Sequence, residues 1–237
     1  MIKKIFKYSI GFVLLFVAVI NLYLIFLLGF FRFVNPPTSA FMQQNDNSSF
    51  LNIVTPNTIS HEWVPLESIS SNVVYAVIAS EDQRYLDHFG IDLTEVEKII
   101  EKSMDGKKTR GASTITQQTA KNLFLFPQKI FVRKGIEIYY SFLMELLWGK
   151  QRIMETYLNI AQFGENIYGV EAASKFYFKK SAKRMTKNQA AQLASVLPNP
   201  IRYKLKRKSR FMLNRIARIE RQMNNLDQRL IYKELKE

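Results

Sequence analysis

Twenty-two consecutive residues, 10–31, contain a single strongly polar side chain, Asn21. At about 1.5 Å per residue such a helix reaches roughly 33 Å, enough to cross a hydrocarbon core of about 30 Å. The run is therefore expected to be a transmembrane helix. Lys3, Lys4 and Lys7 precede it and Arg32 alone comes closely after it, a bias that puts the N-terminus in the cytoplasm and everything beyond residue 35 outside. A cleaved signal peptide is the competing reading, with Thr38-Ser-Ala40 as a small-residue cleavage site. Signal cores usually run only about 7 to 15 residues, which favours the uncleaved anchor.

The anchor divides the chain into a basic N-terminus (1–9), the span (10–31) and a long C-terminal remainder. Residues 32–60 are rich in Asn, Ser, Gln and Pro without a sustained period and read as a linker. From Pro65 the apolar residues recur at helical spacing, over 66–79, 93–104, 114–124, 133–148, 151–159, 170–178 and 186–197. Thr186 is a plausible cap for the last of these, which stops before Pro198-Asn-Pro200. The expected fold is a mainly α domain over 61–203, continued by a basic C-terminal helix (204–237). In that tail Leu213, Ile216, Met223, Leu226 and Leu230 form one apolar stripe opposite a solvated basic face. Residues 123–132 are apolar, aromatic and broken by Pro127. They suit either core packing or a surface that dips into the bilayer interface, and interfacial contact is the expectation in a tethered protein.

Charge narrows the partner. The chain has 34 Lys and Arg against 20 Asp and Glu, a formal net charge of +14, so an anionic membrane face, a nucleic acid or a phosphorylated substrate is favoured. With no cysteine, disulfides and thiolate metal sites are excluded. The outward orientation and the lack of a nucleic-acid-binding motif set nucleic acid aside.

Two segments concentrate the chemistry. Glu81 and Asp82 stand where the apolar run 73–79 stops, and an unpaired carboxylate at the end of a buried helix is costly unless it is used or paired. His88 lies seven residues after Glu81, which would put both on one helix face. Residues 110–122 carry Ser113, Thr114, Thr116, Gln117 and Gln118, side chains that hydrogen-bond hydroxyls and amides and suit a sugar. Transfer of a sugar from a diphosphate needs a base for the acceptor hydroxyl and cations for the leaving group. Glu81 is the candidate base; Lys121, Arg133 and Lys134 are the candidate cations. An Arg133–Glu137 pair, taken alone, is an ordinary intrahelical ion pair. A lysozyme-like hydrolase would instead need a protonated acid, and a non-catalytic anionic-polymer scaffold would need neither.

The four stretches 81–92 (EDQRYLDHFGID), 110–122 (RGASTITQQTAKN), 133–137 (RKGIE) and 152–159 (RIMETYLN) resemble, in order, the motifs of the peptidoglycan glycosyltransferases, the first catalytic domain of bifunctional penicillin-binding proteins. The similarity spans about residues 60–200. It implies a lysozyme-like α fold, and Glu81 as the base that deprotonates the acceptor 4-hydroxyl. That oxygen would attack the anomeric carbon of a lipid-diphosphate-linked chain with inversion to a β-1,4 bond. By the same resemblance Asp82 and His88 orient the first motif; Ser113, Thr114, Gln117 and Gln118 line the cleft; Lys121, Arg133 and Lys134 face the diphosphate. Glu137 matches a second essential carboxylate, and no cofactor is required, although the position admits a divalent cation, magnesium or manganese. Tyr85 and Ala112 replace residues that are commonly Phe and Gly. The implied partners are lipid II, the lipid-linked growing glycan, the membrane and other cell-wall or cell-division proteins, at a bacterial inner membrane with the catalytic domain periplasmic. Neither Ser-x-x-Lys nor Lys-Thr-Gly occurs, so the resemblance is to a monofunctional enzyme without transpeptidase activity.

Overall fold

The computed structural model describes residues 2–45, 59–106, 111, 113–125 and 131–236. They form two compact units, 1–36 and 37–237. The first is one helix, α1 (Ile2–Phe31), whose stretch Tyr8–Phe31 is long and apolar enough to cross a membrane and is the only such helix among the described residues.

The second unit is mainly helical. Part of the expected linker forms a short helix, α2 (Ala40–Asn45), which packs on α5 (Ile115–Phe124); its residues 46–58 lie outside the described residues. The first long helix, α3 (Ser71–Glu81), starts where the Ser70 hydroxyl accepts from Asn72 N. Every residue from Val73 to Ala79 is buried, and Val73, Val74, Val77 and Ile78 each contribute about 1.5–3 kcal/mol on burial. Two helices cover it, α9 (Lys187–Val196) and α10 (Arg210–Asn225). Beside this layer α5 (Ile115–Phe124) packs on α6 (Phe131–Leu147) and α7 (Gly149–Ile160). The predicted α4 (Leu93–Met104) forms, with Asp92 as its N-cap, but buries none of its residues.

Sequence and structure differ at three places. The expected helix over 66–79 is a 3-10 turn at Leu66–Ser68 and then α3. The loop flanked by Gly164 and Gly169 is a hairpin of β2 (Gln162–Gly164) and β3 (Ile167–Tyr168), with β1 (Ser60–His61) added parallel to β3. Gly169 is required here: its φ is +78°, and a Cβ would sit 2.7 Å from Asn159 O. The hairpin leads into α8 (Val170–Phe178). Lastly, the single C-terminal helix is two, α10 and α11 (Gln228–Lys236). Its buried stripe is Met212, Ile216, Ile219 and Met223, continued by Ile231 and Leu235, while the predicted Leu213 and Leu230 are exposed. The break at Leu226 and Asp227 rotates the second helix out of register with the first.

Within 123–132, Leu123 and Leu125 are core, and the Phe124 ring lies 6.0 Å from Tyr140; the part of the expected interfacial surface at 126–130 lies outside the described residues. Exposed apolar groups gather instead on α4 (Leu93, Ile100, Met104) and α6 (Ile138, Phe142, Leu146).

Candidate functional site

A cleft of about 530 Å³ opens at the C-terminal end of α3, lined by Glu81, Asp82, Ser113, Thr114, Gln118 and Lys121 among others. Its walls result from how the chain turns there. Helix α3 stops at Glu81 because Asp82 leaves the helical region (φ −160°, ψ 78°). The Asp82 carboxylate then accepts from the backbone N–H of Ile115, the first residue of α5, at 3.0 Å. It also accepts from His88 Nε2 at 2.9 and 3.1 Å. His88 therefore does not share a helix face with Glu81; it returns through a series of turns and braces Asp82. Asp82, with His88 bound to it, joins the first motif to the second.

Thr114 caps α5 in a reciprocal box with Gln117, and its hydroxyl donates to Gly90 O at 2.6 Å. Gln117 is buried, its amide oxygen taken by Thr114 N, so it builds the helix start and does not line the cleft. Gly90 has φ +77°, and a Cβ there would lie 3.2 Å from Ser141 O.

Glu81 itself is almost fully buried, with its side chain 5% exposed. Three donors converge on its carboxylate: Ser80 Oγ at 2.7 Å, Gln118 Nε2 at 3.2 Å and Arg215 Nη2 at 3.3 Å. Gln118 is held in turn by the Tyr157 hydroxyl at 3.1 Å. Arg215 was missed by sequence reasoning, which assigned the tail a solvated basic face. Its guanidinium is buried and fixed by Ser195 O (3.1 Å) and Ser80 Oγ (2.8 Å). The available signal was an arginine set inside the apolar stripe Met212, Ile216, Ile219, where a solvated cation does not belong.

The cations form a second group. Lys134 Nζ reaches Glu137 Oε1 at 2.6 Å and Ser113 Oγ at 3.1 Å, so the ion pair here on Glu137 is with Lys134, where sequence spacing suggested Arg133. Lys121 lies within electrostatic range of Glu137, Arg133, Lys134 and Glu81. Burial is the main cause lowering its pKa from the usual lysine value, with Arg133 and Lys134 adding to the effect and the two carboxylates opposing it. Of the predicted residues, Glu81, Asp82, Ser113, Thr114, Gln118 and Lys121 thus share one cleft, and Lys134 and Glu137 join it through Ser113 and Lys121. No group of three or more His, Cys, Asp or Glu suited to a metal ion occurs among the described residues. One oxygen of Glu137, Oε1, is engaged by Lys134.

A second cluster supports the turn from below. Buried Glu145 accepts through one oxygen from Gly90 N (3.1 Å), Thr116 Oγ1 (2.7 Å) and Lys150 Nζ (2.7 Å). Lys150 also donates to His88 O at 2.7 Å and lies 4.6 Å from the Tyr85 ring centre.

The family model described as Transglycosylase matches residues 47–224, a span that takes in Arg215 as well as the four motifs. A biosynthetic peptidoglycan transglycosylase of Haemophilus influenzae is 51% identical over 203 residues, covering 84% of this chain and 82% of its own length. Proteins of the same description from Mannheimia succiniciproducens (48% over 196 residues; 83% and 80% covered) and a Marinomonas species (46% over 215 residues; 91% and 88% covered) are similar over comparable spans.

Proposed function

This chain belongs to the transglycosylase family and is a peptidoglycan glycosyltransferase, and from that premise we propose how its cleft divides the reaction. The substrates are lipid II and the lipid-linked growing glycan. Glu81 accepts the proton of the acceptor 4-hydroxyl as that oxygen forms its bond to the donor's anomeric carbon. The bond from that carbon to the diphosphate breaks with inversion, its electron pair leaving on the phosphate oxygen, and a β-1,4 linkage results. Lys121, Arg133 and Lys134 take up the charge that develops on the diphosphate. Glu137 orients Lys134 and offsets the repulsion among the cations, and no step is routed through a divalent cation. Ser113, Thr114 and Gln118 face the sugars.

The observation that carries this reading is the environment of Glu81. A guanidinium, an amide and a hydroxyl are the contacts an ionised carboxylate makes, and that is the form a general base needs at the start, whereas a lysozyme-like acid must hold a proton before the reaction begins. The grouped cations add a feature that hydrolysis of an alcohol leaving group does not need. The domain is proposed to work outside the cytoplasmic membrane, held by α1, and the exposed apolar groups of α4 and α6 suit the interface from which a lipid-linked sugar is drawn.

The test is polymerisation of purified lipid-linked disaccharide-pentapeptide in detergent by the full chain. Glu81→Gln is expected to lower the rate by about 10²–10⁴-fold, the usual contribution of a general base. Glu137→Gln is expected to slow the reaction while leaving a measurable rate. Wild-type polymerisation by Glu81→Gln would refute the assignment of the base.

A further inference from the structure

The net positive charge of this protein arises in one stretch. Between Glu171 and Glu220 the chain has fourteen Lys and Arg and no Asp or Glu, so the entire excess of +14 falls there and the remainder is balanced. Among the described residues, three of the fourteen make side-chain ion pairs or hydrogen bonds: Lys175 with Glu62 and Glu171, Lys187 with Asn224, and Arg215 with Glu81. Among the described residues no carboxylate pairs with Lys179, Lys183, Arg184 or any cation from Arg202 to Arg210.

The stretch is folded into a surface. Its cations at 202, 204, 206–208 and 210 are exposed, while Leu205 is buried and anchors the loop between α9 and α10. The loop is held by Asn199, whose carbonyl and side chain accept from Tyr203 N (2.9 Å) and Arg202 N (3.0 Å). Lys206 from this loop and Lys179 from the end of α8 both lie over the exposed Phe176 ring, at 4.8 and 5.9 Å. The rings of Tyr203, in the same loop, and Phe211, in the first turn of α10, lie 5.5 Å apart. Leu197 and Pro198, which line the catalytic cleft, lead directly into the loop. A row of unpaired cations interleaved with open aromatic rings thus begins at the rim of the cleft.

We infer that this face binds the carboxylate-bearing glycan strand as it is made. The inference rests on the transferase reading above: each repeat of the product carries a pentapeptide ending in a free carboxylate, and the aromatic rings match the apolar faces of sugars. A polyanion bound at many weak points stays near the cleft between additions because each contact raises the local concentration for the next. Its attachment weakens with salt, since the contacts are exposed.

The experiment measures initiation rate and strand length separately, with the full chain in detergent, for wild type and K204Q/K206Q/R207Q/K208Q. The variant is expected to start strands within about twofold of the wild-type rate but to end them at least about threefold shorter, the effect of losing several linked contacts. Raising salt should bring wild-type strands down to the length made by the variant, which should itself respond little. A substrate whose peptide carboxylates are amidated should give short strands with both proteins. Wild-type length from the quadruple variant, or wild-type length on the amidated substrate, overturns the inference. So does a matched loss of rate and length, which would report damage to the cleft. A length defect confined to vesicles of anionic lipid and absent in detergent assigns the surface to the bilayer and overturns it as well. Failure of the Glu81 assignment is read from the rate of Glu81→Gln and leaves strand length as an independent measure.

Discussion

Arg215 decides what kind of carboxylate Glu81 is. The two groups are 3.3 Å apart, and each side chain is 5% exposed. Removing one member of a buried pair leaves the other's charge without compensation, at a cost of about 3–5 kcal/mol. Arg215→Met should therefore lower the unfolding free energy by about 3 kcal/mol, measured by denaturant titration. Arg215→Lys, which keeps a charge but loses the planar fork, should recover most of the stability and little of the activity. The readout that separates positioning from mere structure is that Arg215→Lys lowers kcat with little change in KM. Equal kcat for Arg215→Lys and wild type would show that the fork does not orient the base. None of this was legible locally. Glu81 and its neutral neighbours sit in recognisable motifs, but the partner lies 134 positions away, and a pairing of that kind is a property of how α10 lies on α3.

At the level of elements, the cleft depends on a turn that is clamped from outside itself. Gly90 reverses the chain, and Glu145 of α6 ties that reversal to Thr116 and Lys150. Glu145→Ala would strand the Lys150 ammonium and two buried donors together. The expected loss is about 3–5 kcal/mol of stability, with a parallel loss of transferase activity because Asp82 and His88 ride on the same turn. Glu145→Gln, which can still accept from Gly90 N and Thr116, should recover part of both. A denaturation midpoint unchanged in Glu145→Ala would exclude the clamp. Some elements could be read in advance because their signals are local: α4, α5 and α9 follow the apolar period, and Thr186 caps α9 as its sequence indicated, while the caps Asp92 on α4 and Thr114 on α5 emerged only with the structure. Others could not. Strands of two and three residues carry no period, and the exposed faces of Leu213 and Leu230 result from a break between α10 and α11 that the apolar spacing did not register. The error over His88 has the same origin, since its position depended on α3 continuing past Glu81, and Asp82's bonds to Ile115 N and His88 end it.

The molecule as a whole joins an apolar anchor to a domain whose net positive charge arises in a single region. Its proposed orientation can be tested because the natural chain has no cysteine. A single Ser103→Cys, at an exposed site on α4, should react in intact cells with a thiol reagent that cannot cross the inner membrane. Lys3→Cys should react only after the cells are opened. The reverse pattern would place the domain in the cytoplasm, away from the growing wall.

The buried contact between Arg215 and Glu81 also sets an order in time. A ribosome releases α3 and its carboxylate long before it makes α10, and α1 can engage the membrane while the rest is still being translated. Until residue 215 emerges, Glu81 lacks the guanidinium that contacts it in the folded chain. The closing contacts made by Lys236 to Leu66 O and Ile69 O come later still. On the proposed assignment of Glu81 as base, its surroundings are completed only at the last stage of synthesis, and a product that stalls before residue 215 should build no glycan.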